Sequence, residues 1–230
     1  MERYIESVSE LNLGKKIGGG SCSEVFEMEP GVYFKKFNED YSDLNDPINV
    51  EFFEVIKTIS GIDYLPYVVR GKDVYRSHSE LFGYSMDEVC ADELDDISDD
   101  TLVRDLMDGF EELRPSIKIL SDSFVKTEDI GGDNIMFNGH MYLLDLDLSL
   151  VDRRYIPDEL YESTRRNLFK SIYNRITGEY FNGCISNDDY LAYMSNLLDR
   201  MSNSSDFQVK TIRDVKKVYK KTTFNDVNPI

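Results

Sequence analysis

Asp129, Asn134 and Asp145 carry the side chains of this chain whose spacing most suggests chemistry. The stretch from Thr127 to Asp145 gives an Asp, four intervening residues, an Asn, and a second Asp at the end of an apolar strand. That order suits a site that orients a hydroxyl, holds Mg²⁺ on nucleotide phosphates and transfers a phosphoryl group. Asp129 would face the incoming hydroxyl. Asn134 and Asp145 would present hard oxygen ligands, the kind Mg²⁺ prefers. Each has a plainer reading when taken alone: Asp129 as a turn cap, Asp145 and Asp147 as strand-end carboxylates, Asn138-Gly139 as a simple hairpin turn.

About a hundred residues upstream, Ile17-Gly-Gly-Gly-Ser-Cys-Ser-Glu-Val25 falls at the first strand turn. Gly18 and Gly20 let the backbone approach phosphates without a Cβ in the way, and Gly19 and Ser21 complete an amide-rich segment. Val25 returns as an apolar contact for a base. A glycine-rich turn between strands often does no more than turn, so the segment gains weight from its neighbours. The next strand, Val32-Tyr-Phe-Lys-Lys-Phe37, carries a lysine amid apolar residues, costly to bury without an anionic partner. Lys35 and Lys36 point to opposite faces, so one of them can enter a cleft. Glu51, beside the apolar stripe of the following helix, offers the counter-charge.

The elements that must position these groups can be read from periodicity. Short strands are expected at Leu13–Ile17, Glu24–Glu29 and Val32–Phe37, the last two joined through Glu29-Pro30-Gly31. Asp43–Asp46 and Pro47 open a helix with Ile48, Phe52, Val55, Ile56 and Ile59 on its apolar stripe, and Gly61 ends it. Two strands follow, around Asp73–Ser77 and Leu81–Ser85, then a connector from Met86 to Asp92. A helical pattern runs from Asp99 through Met107 and on to Phe124. Ile135–Phe137 and Tyr142–Leu146 read as a hairpin, and helices are expected at Glu159–Ile176, Asp188–Met201 and Thr211–Lys220. A strand-rich first part (1–86) and a helix-rich remainder (87–230) make an α+β chain of two lobes.

In this order the residues resemble the protein-kinase-like superfamily, over roughly Leu13 to Asp147. Gly18-x-Gly20-x-x-Ser23-x-Val25 is similar to its nucleotide loop, with Ser in place of the third glycine. Val32-Tyr33-Phe34-Lys35 resembles the Val-Ala-Ile-Lys strand, and Thr127 to Asn134 aligns without a gap to the His-Arg-Asp-Leu-x-x-x-Asn loop. Asp145-Leu146-Asp147 stands where the family has Asp-Phe-Gly. The resemblance implies a two-lobed fold with a small antiparallel sheet and one helix in the first lobe, and ATP and Mg²⁺ as cofactors. It implies that Lys35 contacts the α- and β-phosphates and pairs with Glu51, and that Met86 to Val89 recognise adenine through backbone groups. The chain departs from the family at Thr127 and Glu128, which replace His-Arg, and at Gly131, where many protein kinases carry a lysine. No Ala-Pro-Glu precedes the helix near Glu159. Activation by loop phosphorylation is therefore not expected. Asp147 is similar to the acidic third residue of aminoglycoside- and choline-kinase-like enzymes, although 86–129 is short for their added substrate helices.

Composition narrows the partners. With 44 acidic against 26 basic residues the net charge is −18, which repels nucleic acid and anionic membrane. The stretch from Asp87 to Glu112 holds twelve carboxylates against the single Arg104. It suggests a cationic acceptor, a basic protein segment or an amine-bearing small molecule, or else a solvated acidic helix. The basic run from Lys210 to Lys221 reads as a solvated final helix. Three scattered cysteines without a CxxC argue against a disulfide scaffold or zinc site, and the charged first fifteen residues lack a signal peptide's apolar centre. The expectation is a cytoplasmic phosphotransferase acting on a protein Ser or Thr. A small-molecule kinase, a nucleotide-binding module that docks a partner, and a nucleotidyl transferase are the alternatives.

Overall fold

The structure, a computed structural model, describes residues 1–127, 129–146, 149–181, 183, 185, 189–202 and 211–219. Glu128, Asp147, Cys184, Asp188, Lys210, Lys220 and Lys221, on which parts of the sequence reading fall, lie outside the described residues. The chain is mixed α and β. Among the described residues no helix is long and apolar enough to cross a membrane.

Six strands form the main sheet: β1 (Glu2–Tyr4), β2 (Lys16–Gly19), β3 (Ser23–Glu29), β4 (Val32–Phe37), β5 (Val74–Arg76) and β6 (Leu81–Asp87), in the order β1-β5-β6-β4-β3-β2. All neighbours are antiparallel except β1 and β5. Val32–Phe37 is the strand expected from its β-branched and aromatic residues. The first expected strand is corrected: instead of Leu13–Ile17, pairing runs over Lys16–Gly19 and carries the glycines into the ladder.

A short helix α1 (Glu39–Ser42) leads to α2 (Pro47–Ser60). The Asp46 carboxylate caps α2 by accepting from the Ile48 amide at 2.9 Å, and Gly61 closes it. Its buried stripe differs from the expected one. Ile48 is 61% exposed, while Phe53 is buried. Phe53 and Ile56 join a cluster under the sheet with Phe37, Val74, Leu81 and Tyr84. Val55 and Ile59 belong instead to the large core of the helical part, so α2 ties the two together.

That large core lies beyond the connector. After β7 (Asp92–Glu93) come α3 (Val103–Glu112) and α4 (Arg114–Asp122). The expected continuous helix is thus broken at Leu113, where Pro115 can donate no amide to the preceding turn. Then follow β8 (Val125–Lys126), β9 (Ile135–Phe137), β10 (Met141–Leu143), β11 (Leu150–Val151), α5 (Pro157–Thr177), α6 (Tyr190–Ser202) and α7 (Ile212–Tyr219). β7, β9 and β10 form one small sheet, and β8 and β11 another.

The acidic run and the basic last helix meet. The Asp99 carboxylate accepts from Arg175 of α5 (2.7 Å) and Lys216 of α7 (3.0 Å), and Arg213 pairs with Asp100 (3.0 Å). The basic helix is therefore not a merely solvated face: Ile212 and Val215 are buried, and two of its cations neutralise part of the acidic run. Hydrogen bonds from Arg175 and Lys216 hold the Asp99 carboxyl below its usual range, and Arg154 holds that of Asp152 down to about 2. A depressed folded pKa contributes stability that is complete above the unfolded value near 3.9. That contribution is lost as pH falls through the folded value. Urea midpoints should therefore drop between pH 5 and pH 2, and the drop should be smaller in Asp99→Asn.

Candidate functional site

The glycine hairpin between β2 and β3 is shaped by two requirements. Gly19 has φ +152°, and a Cβ there would stand 2.9 Å from the Ser23 carbonyl oxygen, so no larger residue fits without a shift. The Gly20 amide donates to that same carbonyl at 2.8 Å and closes the turn. Gly18 and Gly20 have open space where a side chain would be. Asn38, just beyond β4, holds the tip from below: its Nδ2 donates to the Ser21 carbonyl (2.8 Å) and its amide to that of Cys22 (2.9 Å). The Gly20 amide, expected to face a phosphate, is thus already committed to the turn.

Strand alternation settles the two lysines. Lys35 is 4% exposed and its Nζ lies 2.9 Å from Asp145 Oδ1. Lys36 points to the other face, 3.9 Å from Glu24. The expected counter-charge is corrected here. Glu51 is exposed and lines a separate hollow of about 480 Å³ with Glu54, Leu150, Val151, Asp152 and Arg154. The reason is the setting of α2: burying Phe53 and Ile56 on one side and Val55 and Ile59 on the other leaves Glu51 outside.

The loop carrying Asp129 is fixed on both sides. Thr127, where the resembled loop has His, is buried with its hydroxyl 2.6 Å from that of Thr164 on α5. Ser171 of α5 donates to the Ile130 carbonyl at 2.8 Å. Asn134 Nδ2 donates to the Asp129 carbonyl (3.1 Å), which leaves Asn134 Oδ1 as the free end of the amide for a cation. The Leu144 amide donates to the Asn134 carbonyl at 3.0 Å and brings the next residue, Asp145, alongside. Asp145 has φ +53°, the left-handed region that Asp and Asn enter more readily than other residues with side chains.

These groups open on one cavity of about 340 Å³. The hairpin contributes Gly19 to Ser23 and Val25, β4 contributes Lys35, and the loop contributes Asp129, Asp133 and Asn134; Asp145 and Glu93 complete it. The sequence-predicted Asp129, Asn134, Asp145, Lys35, Gly19, Gly20, Ser21 and Val25 are thereby brought together. Ile17, Gly18, Met86 and Val89 are not among its lining residues. Ile17 is 43% exposed, and Met86 pairs with Tyr33 in the sheet and packs on the Phe37–Phe53 cluster.

Glu93 and Asp133 were not singled out by sequence. Asp133 adjoins Asn134, a signal within reach. Glu93 is one carboxylate in a long acidic run, and its place is set by pairing with Met136 in the small sheet. Across the lining, four carboxylates face one ammonium, so a polyphosphate needs added cations to enter. Among the described residues no three His, Cys, Asp or Glu side chains gather as a ready metal cage. The donors fit Mg²⁺ in its other habit, bound by one or two protein oxygens together with substrate phosphates. No protein-family model and no curated protein matches the sequence.

Proposed function

We propose that the chain is an ATP- and Mg²⁺-dependent phosphotransferase of two-lobed, protein-kinase-like architecture, moving the γ-phosphoryl group to the hydroxyl of a protein Ser or Thr. The observation that carries the reading is the single cavity in which a buried lysine, an exposed aspartate and an Asn–Asp pair converge under a glycine hairpin. Asn134 and Asp145 would hold Mg²⁺, which when bound supplies positive charge against the phosphates. Lys35 would exchange its contact with Asp145 for one with the α- and β-phosphates. Asp129 orients the acceptor hydroxyl and takes its proton as the acceptor oxygen bonds to the γ-phosphorus and the bond to the β,γ-bridging oxygen breaks, releasing ADP. Positioning and charge neutralisation carry most of the acceleration.

The acceptor proposed is a basic segment, because Asp92, Glu93, Asp95 and Asp96 are exposed just after the connector and Glu93 lines the cavity. The test is transfer of labelled γ-phosphate from ATP to a panel of basic peptides and amine-bearing small molecules, with and without Mg²⁺ and with Asp129→Asn as the blank. Label on a peptide Ser or Thr, dependent on Mg²⁺ and Asp129, supports the reading. Label on a small molecule moves the acceptor class, and a product gaining the nucleotide's mass moves the reaction to nucleotidyl transfer. One observation favours a second reading, a binding module: Glu51 stands outside while Lys35 holds Asp145. Equal inertness of wild type and blank, with a partner still bound, would establish it.

A further inference from the structure

The cleft face of the sheet opens on two hollows rather than one. In the β3–β4 hairpin, Val25 pairs with Lys35 and Glu27 pairs with Tyr33 as successive residues on the same face. Val25 and Lys35 line the 340 Å³ cavity already described. One step along, Gly14, Glu27, Glu29, Tyr33 and Glu88 line another, of about 440 Å³. On the wall of this second hollow stands the Tyr33 side chain, half-buried, with its hydroxyl donating to Glu88 Oε1 at 2.7 Å. Glu88 lies in the connector and is itself fixed, since its amide donates to the Gly31 carbonyl at 3.0 Å. The phenol therefore bridges the sheet and the connector.

We infer that Tyr33 and Glu88 form a latch across the base end of the cleft, so that a nucleotide is held first by its phosphates and its base gains a seat only when the latch opens. The inference rests on the nucleotide reading of the cavity beside it. Three observations meet in it. Apart from the small Cys22, the cavity with Lys35 has one apolar lining residue, Val25, whereas sites for flat organic groups are lined mainly by apolar and aromatic side chains. The next residue along that face of the strand, where such a group would continue, is a tyrosine tied at its far end. The tie is a hydrogen bond to a carboxylate, stronger than one between neutral groups, and it pushes the phenol's pKa up to about 12.

The test compares calorimetric affinities for Mg-ATP and Mg-tripolyphosphate, which carries the charge without a base. Wild type should bind the two within about threefold of each other. Tyr33→Ala should tighten Mg-ATP by about tenfold or more and leave Mg-tripolyphosphate unchanged. Glu88→Ala, which frees the phenol but keeps the ring, should tighten Mg-ATP by a smaller factor, and it carries the test should Tyr33→Ala fold poorly. A wild type that prefers Mg-ATP by about a hundredfold, or variants whose Mg-ATP affinity is unchanged or weaker, would overturn the latch. Tripolyphosphate binding with no gain for ATP sinks the latch alone. Binding of neither ligand to any variant sinks the nucleotide reading and the latch together.

Discussion

Asp129→Asn is expected to lower the rate of phosphoryl transfer by about 10²–10⁴, the range for loss of a positioned general base, while Mg-ATP affinity stays within about threefold of wild type. The structure makes this substitution unusually clean. Asp129 takes part in the loop's framework through its backbone carbonyl, which accepts from Asn134, and not through its carboxylate. An isosteric amide therefore keeps the loop's geometry and removes the proton acceptor. Lys35, Asn134 and Asp145 remain to hold nucleotide, so the loss should fall on kcat rather than on binding. A variant with wild-type kcat would remove Asp129 from the chemistry. A variant that fails to bind nucleotide would show the carboxylate to be structural.

Arg165→Ala should cost about 2–5 kcal/mol of stability, the range for truncating a large, fully buried side chain to alanine. Arg165 is fully buried on α5, with NH2 2.6 Å from Glu111 Oε1 and NH1 donating to the Phe110 carbonyl at 3.2 Å. Its guanidinium also lies 3.8 Å from the centre of the Phe110 ring. Removing it leaves the Glu111 carboxylate to its looser contact with Arg114 (3.7 Å), opens space in the core and takes away a planar group seated on an aromatic face. For a chain of this length the midpoint of thermal unfolding should fall by roughly 10 °C. Glu111→Gln should cost less, because Glu111 is a quarter exposed and water can reach what is left. A shift of a degree or two in Arg165→Ala would mean that the core closes over the site without strain.

Much of the site could be read from sequence because it depends on local spacing. The alternation of Lys35 and Lys36 on a six-residue strand decides which enters the cleft, and the structure agrees with the period. Asp129, Asn134 and Asp145 sit on one loop and the hairpin that follows it, where chain connectivity alone keeps them close. Strands β3 and β4, the α2 cap at Asp46 and the stop at Gly61 likewise follow from residue type.

What sequence could not supply were relations between distant segments. α2 is apolar on several sides, with Ile48, Val50, Phe52, Phe53, Val55, Ile56 and Ile59, so its rotation is set by two clusters competing for it. The outcome exposes Ile48 and puts Glu51 outside the cavity. Charge balance is equally remote: Asp99 finds Arg175 and Lys216, 76 and 117 residues away, and the acidic run loses part of its apparent excess. Glu93 reaches the cavity through a two-residue strand that carries no pattern of its own. Tyr33 was visible only as a strand aromatic until Glu88 appeared opposite its hydroxyl.

The most direct measurement follows Mn²⁺, used in place of Mg²⁺, by electron paramagnetic resonance with and without ATP. The account predicts that protein-bound Mn²⁺ appears when ATP is present and weakens by at least about tenfold in Asp145→Asn and in Asn134→Ala, since two protein oxygens share the ion with the phosphates. Glu51→Gln should bind as wild type does. Mn²⁺ and ATP held equally well by Asp145→Asn, Asn134→Ala and wild type would contradict the claim that these residues and Lys35 form one phosphate-handling site.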